Sequence, residues 1–202
     1  MPILQRVGIE PEAAFNDPSA RQLRFSTNVT GLDIIRVRSF DVATFVAFGG
    51  AHMGIAGNDV VLEFNFAELY APLDLDVGHC RISVAESLDK VEKVDPRSWS
   101  SVQIATKYPH ITQRYFARRG VQAECIKLNG AMELAPQLGL CSRIVDLVST
   151  GATLKANGLV EIEEICRITS RLMINRVAWK TRSDEIDWWL QKFQEAVHAQ
   201  AS

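Results

Sequence analysis

Three times between Val102 and Leu159 a strand-length apolar run gives way to a turn and then to a helix pattern. Val102 to Thr106 leads to a helix over Pro109 to Arg119, Ala123 to Leu128 to one over Ala131 to Leu138, and Arg143 to Val148 to a third that departs from Ser149-Thr150-Gly151-Ala152-Thr153. Such alternation predicts an α/β sheet whose strand ends open onto helix starts. The third unit carries the most chemistry. Its strand holds one acid, Asp146, among Ile144, Val145, Leu147 and Val148. A glycine at 151 lets backbone approach a ligand, the flanking hydroxyls can donate to phosphate oxygens, and the amides of a helix start face an anion. The segment therefore reads as a phosphate cradle, with Asp146 placed for a ribose hydroxyl pair. Taken alone, the same short string also describes a strand-to-helix turn capped by Ser149 or Thr150.

The remaining properties bound the ligand. The 202 residues suffice for one large or two small domains, and 47% hydrophobic residues support well-formed cores. A formal charge of -2 and a pI near 6.1 supply no field that would gather nucleic acid or anionic lipid, so phosphate chemistry must depend on a few placed cations and a small ligand. Cys80, Cys125, Cys141 and Cys166 are widely spaced in or beside apolar runs, which predicts buried reduced thiols rather than a zinc site or a disulfide frame. No apolar stretch approaches membrane length and no charged-then-apolar leader opens the sequence, so a cytoplasmic location is expected.

Ahead of Val102 the pattern is shorter-ranged. Met1 to Ile9 looks like the last turns of a helix stopped by Gly8. Strands are expected at Gln22 to Ser26 and Asp33 to Val37, then a helix capped by Ser39 with Asp41 in its first turn, running through Ala47 to Gly49-Gly50. His52 to Ala56 reads as a buried strand that Gly57-Asn58-Asp59 turns into a helix over Val60 to Phe64, and a new strand begins around Arg81 to Ala85. A polar linker follows from Glu86 to Ser101, containing Pro96. Val160 to Asn175 holds two strands' worth of chain, and a last helix, Asp184 to Ala199, turns Ile186, Trp189, Leu190, Phe193 and Val197 inward. The expected architecture is α/β and two-lobed, like periplasmic binding proteins, with two crossings and an active site in the cleft. Residues 1–80 with 169–202 form one lobe, incomplete at its N-terminus, and residues 81–168 form the other.

Ligands of such sheets sit beyond the carboxyl ends of strands. Four strand ends carry suggestive groups: Gly57 to Asp59, Thr106-Lys107, Asn129-Gly130 and Ser149 to Thr153. Lys107 could meet a pyrophosphate, or be a solvated lysine at a strand end. Among Arg21, Arg24, Arg36 and Arg38, most are expected to be surface charges and one to reach a leaving group. Glu133 fits a helix first turn, where its charge suits the dipole. His52, His79, His110 and His198 show no metal-ligand spacing, and His110 alone is near Lys107. The absence of G-x-S-x-G, Walker A and G-x-G-x-x-G removes support for serine-hydrolase, P-loop and dinucleotide-binding readings.

With the segments in order, the sequence resembles the short form of ATP phosphoribosyltransferase, the enzyme that opens histidine biosynthesis. The resemblance is carried by Val37 to Val42, Gly54 to Glu63, Ile104 to Pro109, Leu128 to Pro136 and Asp146 to Leu159, and spans nearly the whole chain. It implies transfer of phosphoribosyl from phosphoribosyl pyrophosphate to N1 of the adenine of ATP, with Mg²⁺ accompanying the pyrophosphate-bearing substrates. It places the 5-phosphate in the cradle (Ser149, Thr150, Gly151, Ala152, Thr153, Leu154), the ribose at Asp146, and Arg21, the catalytic residue, at the pyrophosphate. Lys107, Gly57, Asp59 and Glu133 complete the substrate-binding set it implies. The transition state resembles an oxocarbenium ion leaving pyrophosphate, so cations matter there more than a strong base. The resemblance further implies a catalytic homodimer within a hetero-octamer, whose regulatory subunit is a catalytically inactive relative of histidyl-tRNA synthetase. It also implies a strand and a Lys-Gly-Arg turn ahead of the first helix. This sequence contains neither, and the chain as it stands is expected to be aggregation-prone and inactive when expressed alone. A solute-binding module and a non-catalytic paralogue are the competing readings.

Overall fold

Strand and helix alternate through the described residues, 2–88 and 100–201 of a computed structural model. In chain order they are α1 (Pro2–Arg6), a 3-10 turn (Ala13–Asn16), β1 (Arg24–Ser26), β2 (Asp33–Ile35), α2 (Ser39–Ala47), β3 (Met53–Gly57), α3 (Asn58–Phe64), β4 (Leu69–Asp74) and β5 (Cys80–Ser87). There follow β6 (Ser101–Thr106), α4 (Pro109–Ala117), β7 (Gln122–Lys127), α5 (Leu134–Gln137), β8 (Arg143–Val148), α6 (Ala152–Ala156), β9 (Leu159–Ile168), β10 (Ser170–Asn175), α7 (Arg176–Thr181) and α8 (Ser183–Ala201). No helix among the described residues is long and apolar enough to cross a membrane. Of the expected linker, residues 89–99 lie outside the described residues, and both its ends are taken up in β5 and β6.

The chain divides into two compact units: Met1–Ala56 with Phe66–Asp76 and Ser170–Ser202, and Gly57–Asn65 with Val77–Thr169. This departs from the division expected at residues 80 and 168. The Asn58 amide donates to the Thr169 carbonyl (2.8 Å), and Glu63 accepts from the amides of His110 and Ile111 (both 3.0 Å), so α3 is fastened within the second unit. Residues 66–76 return to the first, because β4 pairs with β10. The chain therefore crosses between units four times, not twice.

In the first unit a three-stranded sheet has the order β3-β10-β4. Leu172, Met173 and Ile174 of β10 are buried, as a central strand covered on both faces requires. The β10–β4 ladder is antiparallel and shifts between Leu172, opposite Leu73, and Ile174, opposite Tyr70. Two residues of β4, Ala71 and Pro72, thus face Met173 alone. That bulge sits where Pro72 lacks an amide to donate, and β4 is an edge strand that tolerates it. Helix α8 buries Ile186, Trp189, Phe193 and Ala196 at helical spacing, with Leu190 and Val197 half-buried, and α1, whose Ile3 and Leu4 are buried, packs on it. Gly8, at φ 77, ends α1. Ser39 is the first residue of α2 rather than its cap; Arg38 holds the cap position with no side-chain bond.

In the second unit five strands lie in the order β7-β6-β8-β5-β9. β6 runs parallel to β7 and β8; β5 runs antiparallel to β8 and β9. Ile82, Val84, Ile104, Ala105, Ile144 and Val145 make the dry centre. The helix expected from Ala131 begins only at Leu134 and lasts four residues. Ala131 stands at φ 54, outside the helical region, Pro136 offers no amide, and Gly139 at φ 73 ends the turn. Of the cysteines, all free, only Cys141 is buried; Cys80, Cys125 and Cys166 are half-buried, contrary to expectation.

Candidate active site

Strand directions in the second unit gather the chemistry at one edge. The parallel strands β6, β7 and β8 end there at Thr106, Lys127 and Val148, antiparallel β5 begins there at Cys80, and β9 ends there at Ile168. Thr106 pairs with Val145, so β8 runs on by three residues, carrying Asp146 past the end of β6 to the level of Lys107. Helix α3 joins the same edge through the Asn58–Thr169 bond. Carboxyl edges of this kind are where α/β sheets bind ligands.

The loop after β8 has the features expected of a cradle. Gly151 adopts φ 77, ψ 2, a left-handed conformation that favours glycine, and a Cβ built there meets nothing nearer than a Val148 methyl at 4.0 Å. The space over its α-carbon is open. Ser149, Thr150, Ala152 and Thr153 are exposed, whereas Leu154 is buried among Ala85, Ile144, Val148 and Leu159 and can offer a ligand only its backbone. Neither hydroxyl caps α6: Gly151 is at the cap position, and Thr150 Oγ1 accepts from the Ala152 amide at a long 3.3 Å. The helix has five residues, so its orphan amides matter here more than its dipole.

Asp146 is half-buried, accepting from the Leu147 amide at 2.8 Å. Burial pushes its carboxyl up to about 6; the Leu147 amide opposes the rise, Glu133 adds to it and Lys107 opposes it. Glu133 is half-buried at the cap position of α5, one residue ahead of the helix whose first turn it was expected to occupy.

Asp59 is 5% exposed and accepts from the Tyr108 hydroxyl at 3.0 Å. Burial raises its carboxyl above the usual range, while the Tyr108 hydroxyl, nearby amides and Lys107 hold it back. Tyr108, itself 1% exposed, is driven far above the ordinary phenol range, first by burial and then by the Asp59 charge. Gly57 has a packing reason to lack a side chain: a Cβ there would lie 2.1 Å from Asp59 Oδ1. Its φ of -63 is open to any residue, so the constraint is the carboxylate folded back over it.

Arg21 belongs to the first unit. It is exposed, in a stretch without regular structure just after Ala20. That stretch is tied down by Arg36, whose guanidinium donates to the carbonyls of Phe15 (3.0 Å) and Ala20 (3.1 Å) and lies 5.0 Å from the centre of the Phe25 ring. Sequence reasoning set Arg36 among surface charges or leaving-group cations; it is a half-buried loop brace.

Three further residues shape the edge, and of these the sequence marked only Thr106 outright, in the strand end Thr106-Lys107. Thr106, fully buried, accepts from the Tyr108 amide at 2.9 Å and turns the chain out of β6. Tyr108 was readable in part, since a residue before proline is restricted, here to φ -120 and ψ 61. Arg81 bonds Glu161 with Nε (2.6 Å) and Nη2, and its Nη1 donates to the Ser149 carbonyl at 3.1 Å.

Known proteins resemble this chain in sequence and in fold. The family model described as HisG: ATP phosphoribosyltransferase matches residues 38–195. An ATP phosphoribosyltransferase of Rhodospirillum rubrum is 65% identical over 202 residues, all of this chain and 89% of its own length. One of Rhizorhabdus wittichii is 60% identical over 197 residues, 98% of this chain and 89% of that one. Among solved structures, the ATP phosphoribosyl transferase (HisG:HisZ) complex from Thermotoga maritima superposes with a TM-score of 0.78 at 32% identity, covering 98% of this chain and 92% of that one. The periplasmic aliphatic sulphonate binding protein SsuA from Escherichia coli, at 13% identity, a TM-score of 0.52 and coverage of 79% and 59%, shares the fold alone. A family model matched from residue 38 to 195, with a relative 65% identical over the whole chain, settles the phosphoribosyltransferase class: the chain belongs to the ATP phosphoribosyltransferase family.

Proposed function

We propose that this chain is the catalytic subunit of a short-form ATP phosphoribosyltransferase that condenses ATP with 5-phosphoribosyl 1-pyrophosphate to N1-(5-phosphoribosyl)-ATP and pyrophosphate, the first step of L-histidine biosynthesis in the cytoplasm. The observation that carries the reading is the loop after β8, where Gly151 at φ 77 leaves open space above the backbone five residues beyond Asp146. The 5-phosphate is assigned to the amides and hydroxyls of residues 149–154, and the ribose hydroxyls to the Asp146 carboxylate. Lys107, within the influence of both Asp59 and Asp146, supplies positive charge to the diphosphate end. Glu133, Gly57 and Asp59 complete the substrate-binding wall, Asp59 and Gly57 through the shape that the Tyr108 bond maintains.

In the reaction the C1′–oxygen bond to pyrophosphate breaks as the adenine N1 lone pair bonds to C1′. Charge grows on the departing pyrophosphate, where Arg21 is assigned, and no proton need leave N1 for attack. Mg²⁺ supplies charge neutralisation on the pyrophosphate oxygens. A separate histidyl-tRNA-synthetase-like regulatory subunit is proposed because the Thermotoga maritima structure is described as a HisG:HisZ complex.

The test is pyrophosphate release from the full chain, with and without such a partner. Release that requires both ATP and phosphoribosyl pyrophosphate, with formation of the N1-linked product, supports the reading. Hydrolysis of either substrate alone, or no turnover with the partner present, overturns it.

A further inference from the structure

We propose that Arg81 is a positioning residue for phosphoribosyl pyrophosphate, holding the phosphate loop through the carbonyl of Ser149, a role that rests on that loop being the cradle. Arg81 lies on β5 opposite Val148, the last residue of β8. Its Nε and Nη2 grip both oxygens of Glu161 on β9, and Glu161 Oε1 also accepts from the hydroxyl of fully buried Ser83 at 2.7 Å. The Arg81 bond holds the Glu161 carboxyl below its usual range, so the pair stays ionised. A guanidinium is planar, and once two donors of its fork are fixed the direction of the third is fixed with them. That third donor, Nη1, meets the Ser149 carbonyl.

The consequence follows from peptide geometry. In a trans peptide the carbonyl and the next amide point to opposite sides. A Ser149 carbonyl turned toward Arg81 therefore turns the Thr150 N–H away from it, one residue before the left-handed Gly151. Successive amides aimed this way make an anion-binding concavity. Arg81 gives its charge to Glu161 and its remaining arm to the backbone, so it orders the loop's donors rather than serving as an anion ligand.

Arg81→Lys separates the two jobs. An ammonium can still pair with Glu161, but it cannot hold the carboxylate with a fork and the carbonyl with a third fixed arm. For this variant in the enzyme assembled with its regulatory partner, KM for phosphoribosyl pyrophosphate should rise about 10-fold or more. KM for ATP should stay within about twofold, and calorimetric binding of phosphoribosyl pyrophosphate to the full chain should weaken in parallel. Arg81→Gln should show the same selectivity. Wild-type affinity for phosphoribosyl pyrophosphate in Arg81→Lys overturns the proposal, as does a rise in both KM values together with a lowered Tm, which describes a strut for the sheet alone. Gly151→Ala, measured alongside, distinguishes the failures. If it weakens phosphoribosyl pyrophosphate binding and Arg81→Lys does not, only the positioning role is wrong; if it too changes nothing, the cradle assignment fails first.

Discussion

Asp146 joins a proposed binding role to a stability cost. An aspartate in an unfolded chain titrates near about 3.9, and in the fold burial lifts this one to about 6. Between those values the folded protein binds more protons than the unfolded one, so the carboxyl's contribution is most favourable below the unfolded pKa and is lost as pH rises through about 6. Asp146→Asn should therefore raise Tm at pH 7.5 by a few degrees while weakening phosphoribosyl pyrophosphate binding. A thermal scan and a titration on one preparation check both. In the unmodified enzyme, KM for that substrate should climb as pH falls through about 6, because a neutral carboxyl accepts hydroxyl hydrogen bonds poorly. Gly57→Ala tests a different constraint. Its methyl would displace Asp59 from the Tyr108 hydroxyl, leaving a buried acid and phenol mismatched at a cost of about 1–3 kcal/mol in chemical denaturation. The turn at Gly151 was legible because a hydroxyl-flanked glycine follows an acid-bearing strand; its left-handed backbone was not, since glycine also adopts negative φ freely. Arg81 was not, because its target is a main-chain carbonyl 68 residues away, and no side-chain pattern reports that.

Elements with a strong period were readable, and those shaped by exceptions were not. Helix α8 announces itself by Ile186, Trp189 and Phe193 on one face. Strand β4 escaped notice because Pro72 interrupts it, which only its edge position and bulge make tolerable. Helix α5 was overextended because the left-handed turn at Ala131 leaves no mark in the apolar pattern. Helix α4 shows how an element can depend on a distant side chain. Its cap position is Tyr108, without a side-chain cap bond, and the amides of His110 and Ile111 are satisfied by Glu63 of α3. Glu63→Ala should orphan those donors and cost about 1–3 kcal/mol, with faster amide exchange in the first turn of α4 than elsewhere in the second unit. Uniform loss of protection would mean that Glu63 supports the unit at large.

At the scale of the whole molecule, neither unit is one stretch of sequence. The first takes three segments, and its sheet is closed by β10, hydrogen-bonded to β3 on one side and β4 on the other. Asn175, at the end of β10, donates to the Val46 carbonyl (2.7 Å) and accepts from the Ala178 amide (2.8 Å), locking α2, β10 and α7 together. Phe193 is buried on the inner face of α8 in the same unit, and Phe193→Ala should cost about 3–5 kcal/mol in urea unfolding. An effect below about 1 kcal/mol would mean that α8 is only loosely held.

The placement of β10 also sets an order of birth. A chain emerges from the ribosome N-terminus first, and domains generally fold as their residues become available. The second unit is fully synthesised at Thr169, whereas β3 and β4, made far earlier, have no strand between them until residues 170–175 appear. The unit that begins first is thus finished last. Nascent chains arrested with residue 169 just outside the exit tunnel should protect β5 to β9 from protease while β3 and β4 are still cut, and moving the arrest past α8 should close that window.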